Sequence, residues 1–178
     1  MMEITKEKIR EYAQKYDKRY KDTNDEIVEK ETKKWLEGNR HLDKERFIKT
    51  GLWKSRRPER HYKANNEKKV REITKLSFRE KDERKRIELL LGTEGGLKGV
   101  AYPVASVILH FAFPNRYPIL DFRAIWSLGL EQPKNYTFGF WQKYCGRIRD
   151  ISKETGESIR TVDKALWEYS KEHQPKKK

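Results

Sequence analysis

LKGVAYPVASVILHFAFPNRYPILDFRAIWSLG, residues 97–129, decides how the chain is read. It opens on a small-residue turn, Gly99-Val100-Ala101, where backbone can reverse tightly and approach a partner closely. From Pro103 the apolar residues Val104, Val107, Ile108 and Phe111 recur along one face of a helix, and Pro103 suits its first turn. Pro114 closes that helix, and Pro118 sets an extended approach to Ile119-Leu120-Asp121. Asp121 then falls at an N-cap position before Phe122–Leu128, with Gly129 as the stop.

Upstream, the spacing predicts a helix over 82–91 around Ile87, Leu90 and Leu91, with Gly92–Gly96 leading into the turn. Another helix begins at Asn66 and carries Val70, Ile73 and Leu76. Before it, residues 52–63 (LWKSRRPERHYK) read as a basic loop interleaved with aromatics. Its ordinary reading is a solvated loop anchored by Trp53. Its functional reading is a nucleic-acid lining, with Lys54, Arg56 and Arg57 on phosphates and Trp53 or Tyr62 stacking on a base. Helical stripes through Ile9, Tyr12, Tyr16 and Tyr20, then through Ile27, Val28, Trp35 and Leu36, precede a short helix from Asp43 to Gly51. Downstream, Trp141, Tyr144, Ile148 and Ile151 form one stripe, and Ile159, Val162, Leu166 and Tyr169 another behind a Ser158 cap. Period-2 runs with hairpin turns are absent, so the expectation is an all-α compact helical bundle of about eight or nine helices. Its divisions are 1–64 (N-terminal helices and the basic loop), 65–173 (the core) and 174–178 (a basic disordered tail).

Length allows one domain with a real core, and 42 Lys and Arg against 28 Asp and Glu give a formal charge of +14. Such an excess is the footprint of a nucleic-acid partner or another anionic surface, and it carries no sequence specificity. The lone Cys145 excludes an internal disulfide and a four-cysteine metal site. A charged N-terminus from Glu3 and the lack of a long apolar run place the chain as a soluble cytoplasmic, nucleoid-associated monomer with no membrane partner.

The 97–129 stretch resembles the core of the helix-hairpin-helix, Gly/Pro-Asp superfamily of DNA base-excision glycosylases. That family has a Leu-Pro-Gly-Val-Gly hairpin, a helix starting with a small residue, a Gly/Pro-rich loop and then an aspartate. Leu97, Gly99 and Val100 match the hairpin, Ala105 the small residue and Asp121 the aspartate, in the same order and spacing. Lys98 replaces the hairpin proline and Ala101 its second glycine. Pro103 stands where bifunctional members carry their Schiff-base lysine, and the lone cysteine leaves no iron–sulfur cluster. The resemblance therefore implies a monofunctional enzyme that releases a damaged or modified base from duplex DNA and leaves an abasic site. It requires no cofactor and allows a monovalent cation on the hairpin carbonyls.

A turn between two helices leaves backbone N–H groups free, so Lys98, Gly99, Val100, Ala101 and Tyr102 are candidates for gripping phosphate. An ordinary tight connection would look the same from these residues alone. Asp121 is the candidate catalytic carboxylate, because breaking an N-glycosidic bond builds positive charge on the sugar of a flipped nucleotide. Capping a helix is its ordinary role, and the two roles are compatible. His110 is either a core histidine or part of a base pocket, and Arg123 either supports the carboxylate, reaches a phosphate or is a surface residue. The competing functions are a helix-hairpin-helix DNA-binding protein without catalysis, or a protein handling RNA or nucleotides through the same basic surface.

Overall fold

The computed structural model describes residues 1–175, and every regular element among them is helical. The basic end expected to form a tail at 174–178 lies, for its last three residues, outside those described. Ten α-helices follow one another: α1 Lys6–Tyr20, α2 Asn24–Gly38, α3 Lys44–Lys54, α4 Glu59–Lys63, α5 Glu67–Arg79, α6 Glu83–Glu88, α7 Tyr102–Ala112, α8 Phe122–Ser127, α9 Phe138–Thr155 and α10 Ile159–His173. A 3-10 turn, Gly92–Glu94, comes between α6 and α7. No helix among the described residues is long and apolar enough to cross a membrane.

Most helices begin where a short polar side chain can accept an orphan backbone N–H. Thr5, Thr23, Asp43, Asn66, Asp82, Asp121, Thr137 and Ser158 all cap this way. Helix α7 is an exception, since its cap position, Ala101, offers no acceptor.

The chain divides into two compact units, residues 22–113 and residues 1–21 with 114 onward. The pairing of the chain's two ends within one unit leaves no mark in the sequence. In the second unit α10 packs against α1, α8 and α9. Glu168 of α10 is fully buried and accepts three hydrogen bonds from Arg19 of α1, two from Nε at 3.0 Å and one from Nη2 at 2.5 Å. A buried carboxylate needs such a partner, because desolvating it alone is costly. In the 22–113 unit α3 is the hub, packing on α2, α4, α5 and α7. Helix α7 is buried along almost its whole length, Val104 through Phe111.

Three expectations need correction here. Residues 52–63 are mostly helical: α3 runs on through Lys54, and Glu59–Lys63 form α4. The helix before the hairpin is shorter than 82–91, because Asp82 caps it and the chain turns after Glu88. Ile27 and Leu76, read as stripe residues, are 47% and 55% exposed, so the apolar faces of α2 and α5 are narrower than their spacing suggests.

Candidate functional site

Within the 22–113 unit the hairpin is closed by its own backbone. Leu97 N–H donates to the Leu90 carbonyl, Gly92 N–H to Val100, and Val100 N–H to Leu97. Gly99 has φ +84°, a left-handed conformation that glycine adopts without cost. Two side chains from α4 and just after it brace this turn. Tyr62 is fully buried, and its ring is wedged between Gly51 of α3 and Gly99, where added Cβ atoms would come within 2.8 and 2.9 Å of it. Asn65, 2% exposed, accepts from Lys98 N–H at 2.9 Å and returns a bond from Nδ2 to the Lys98 carbonyl at 3.1 Å. The same Nδ2 also reaches the His61 and Tyr62 carbonyls, so one side chain ties α4 to the hairpin.

With the turn held in this way, the N–H groups of Gly99, Ala101 and Tyr102 find no acceptor among the described residues. Ala101 and Lys98 are exposed, and α7 adds the positive end of an 11-residue helix. Free donors and a helix dipole together suit a phosphate oxygen. Tyr102 is half-buried beside them. Burial pushes its phenol up, Glu88 adds to the effect and Arg84 opposes it. The Leu97, Lys98 and Val100 carbonyls each accept a hydrogen bond from within the unit.

Asp121 belongs to the other unit, and the chain reaches it through buried Tyr117, Pro118, Ile119 and Leu120. Tyr117 stacks on Trp141 of α9 at 5.6 Å. Ile119 is pinned at both backbone groups: its N–H donates to Asp163 of α10, and its carbonyl accepts from the Tyr144 hydroxyl, each at 2.9 Å. Asp121 follows two residues later, half-buried, and its Oδ1 accepts from the Arg123 N–H at 2.8 Å. The carboxylate is therefore both the cap of α8 and fixed in orientation. The Arg123 guanidinium lies over the rings of Phe122 and Trp167, at 5.0 and 5.2 Å. An opening of about 390 Å3 in this unit is lined by Leu130, Glu131, Pro133, Phe140, Lys143 and Tyr144. Burial pushes the Tyr144 phenol well above its ordinary value, with Asp163 and then Asp121 adding to the shift. Burial raises Tyr136 as well, and the Asp121 charge again contributes.

The remaining expected residues are distributed plainly. Trp53 is half-buried near the end of α3, its indole N–H on the Asp25 carbonyl at 3.0 Å and its ring edge-on to Phe111. With Lys54 and Arg56 it borders a cavity of about 450 Å3, and Arg57 is exposed in the connection to α4. Tyr62 is under the hairpin, so its ring is a brace with no face open for stacking. His110 is fully buried in α7, next to Phe111. Asn65, Tyr144 and Asp163 went unnoticed as site residues. Asn65 merely adjoins the helix start at Asn66, Tyr144 falls within a helical stripe, and Asp163 lies beside Val162 of another without belonging to it.

No protein-family model matches the sequence, and no curated protein matches it significantly. Among solved structures, the chain is similar to the 8-oxoguanine glycosylase/lyase of Methanocaldococcus jannaschii in complex with a 15mer DNA containing 8-oxoguanine. The TM-score is 0.52 at 17% identity, covering 94% of this chain and 91% of that one. The chain thus has the helical fold of a DNA glycosylase.

Proposed function

We propose that the protein is a monofunctional DNA glycosylase acting on a damaged or modified base flipped from duplex DNA. The observation that carries this reading is Asp121: a half-buried carboxylate locked by the Arg123 N–H, at the end of a segment pinned by Tyr144 and Asp163. The hairpin amides of the 22–113 unit suit a DNA phosphate, and Lys98 would add its charge.

In the reaction the bond from sugar C1′ to the base nitrogen breaks, and its electron pair leaves with the base. The sugar becomes oxocarbenium-like, and a fixed carboxylate lowers the energy of that cation more than of the neutral ground state. Water then adds at C1′ and gives up a proton, which balances the one the departing base takes. Pro103 in the first turn of α7 has no amine to replace that water, so the sugar stays hydrolysed and the strand stays intact. The opening beside Tyr144, with Leu130, Pro133 and Phe140, offers an apolar wall for the extruded base. The similarity in fold to a glycosylase/lyase supports this reading.

The test is a mass-spectrometric screen for released base over duplexes carrying oxidised, alkylated and deaminated bases. A released base with abasic but uncut strands is the expected result. Borohydride-trapped protein–DNA adducts would overturn the water mechanism. Absence of release on every duplex, with duplex binding retained, would leave a helix-hairpin-helix DNA-binding protein.

A further inference from the structure

The cavity beside Trp53 is separate from Asp121 and lies wholly in the 22–113 unit. Its volume of about 450 Å3 is in the range of small-ligand pockets, roughly 300–1,000 Å3. Its lining combines three kinds of group. Lys49, Lys54 and Arg56 bring positive charge, Trp53 brings an aromatic wall, and Asp25 brings a carboxylate.

Several of these charges are already satisfied. Lys49 pairs with Glu45 at 2.7 Å, and Glu59, also on the lining, pairs with Lys63 at 2.5 Å. Arg56 is exposed and makes no salt bridge among the described residues. Asp25 is the unusual member. Its side chain takes no hydrogen bond or ion pair among the described residues, and Thr23 already caps α2. Burial pushes its carboxyl above the ordinary value, against the pull of Arg56. The Trp53 indole N–H is bonded to the backbone carbonyl of the same Asp25, which holds the aromatic wall and the acid in one register.

A ligand for such a cavity needs a flat ring, an anionic group and paired donors for a carboxylate. We infer that the cavity is a second binding site, for a guanine nucleotide: phosphate at Lys54 and Arg56, base along Trp53, and the guanine N1–H and N2–H donated to Asp25. Among the four bases only guanine carries two adjacent N–H donors on one edge, matching the two oxygens of a carboxylate. Adenine and cytosine place an acceptor beside their amine, and thymine flanks its single N–H with carbonyls. The site is independent of whether Asp121 releases bases.

The experiment titrates the intact protein with dGMP, dAMP, dCMP and TMP by calorimetry at low salt. Binding of dGMP should be at least about tenfold tighter than that of the others, the discrimination expected of a bidentate base contact. Asp25→Asn and, as a second variant, Asp25→Ser should remove that preference while leaving dAMP binding unchanged, and Arg56→Glu should weaken all four. Short oligothymidylates with and without one central guanine separate the sources: a guanine-dependent gain in the strand with weak dGMP binding assigns an unstacked strand nucleotide, and the reverse assigns a free one. No binding of any probe, equal binding of all, or a preference that survives both Asp25 variants would overturn the inference.

Discussion

The ring of Tyr62 is the floor under Gly99: a Cβ built on that glycine would lie 2.9 Å from Tyr62 Cδ1. A single aromatic side chain from α4 thereby sets the height at which the hairpin turn rests, and with it the direction of its free N–H groups. Gly99→Ala meets both the ring and a left-handed φ of +84°. It should lower stability by about 1–3 kcal/mol. Thermal unfolding measures this directly, and duplex affinity should fall with it, since the amides turn away from their phosphate.

Tyr62 also gives the protein an alkaline limit. Its hydroxyl is buried without a hydrogen-bond partner among the described residues, and burial pushes its pKa up to about 12. An acid whose folded pKa is raised favours the unfolded state once the unfolded group ionises. The stability is whole below the unfolded value near 10 and is lost as pH rises through about 12. Tyr62→Phe should therefore flatten the loss of stability between those limits in urea melts taken at stepped pH. Tyr144, raised in the same direction by burial, will leave part of the slope in place. At neutral pH the same variant should be as stable as wild type or more so, by up to about 1 kcal/mol, because an unsatisfied hydroxyl is removed.

Asn65 is the second brace, and its loss strips both polar groups of Lys98 from their partners. Asn65→Ala should cost about 1–3 kcal/mol in chemical denaturation. It should also weaken duplex binding measured by fluorescence anisotropy, while the dependence on salt stays steep because the Lys and Arg side chains remain. An Asn65→Ala protein of wild-type stability and affinity would show that the clamp does not hold the hairpin.

Which parts could be read from the chain follows from how local their causes are. The α7 face, the cap at Asp121 and the stop at Gly129 each rest on residues within one or two turns of one another, and the structure has all three. Tyr62 shows the opposite case. An aromatic among arginines reads as a stacking ring, and only the distant glycines at 51 and 99 reveal that space was cleared to bury it. Asn65 is similar, since its partner Lys98 is 33 residues away. The helix at residues 59–63 is too short for a periodic signal, and the pairing of α1 with α10 joins segments that charge patterns treat as unrelated surfaces. Asp163 lies beside Val162 of the α10 stripe, but its bond to the Ile119 N–H depends on where α10 comes to rest within its unit.

The central claim concerns one carboxylate. Asp121→Asn keeps an oxygen able to accept the Arg123 N–H, so α8 should stay capped and the fold intact. Single-turnover base release by this variant, on the duplex that the screen identifies, is the decisive measurement. A loss of at least about 100-fold in rate, with duplex affinity within about twofold of wild type, is the predicted result for a group acting on the transition state. Equal release by Asp121→Asn and wild type would contradict it, and would remove Asp121 from the chemistry.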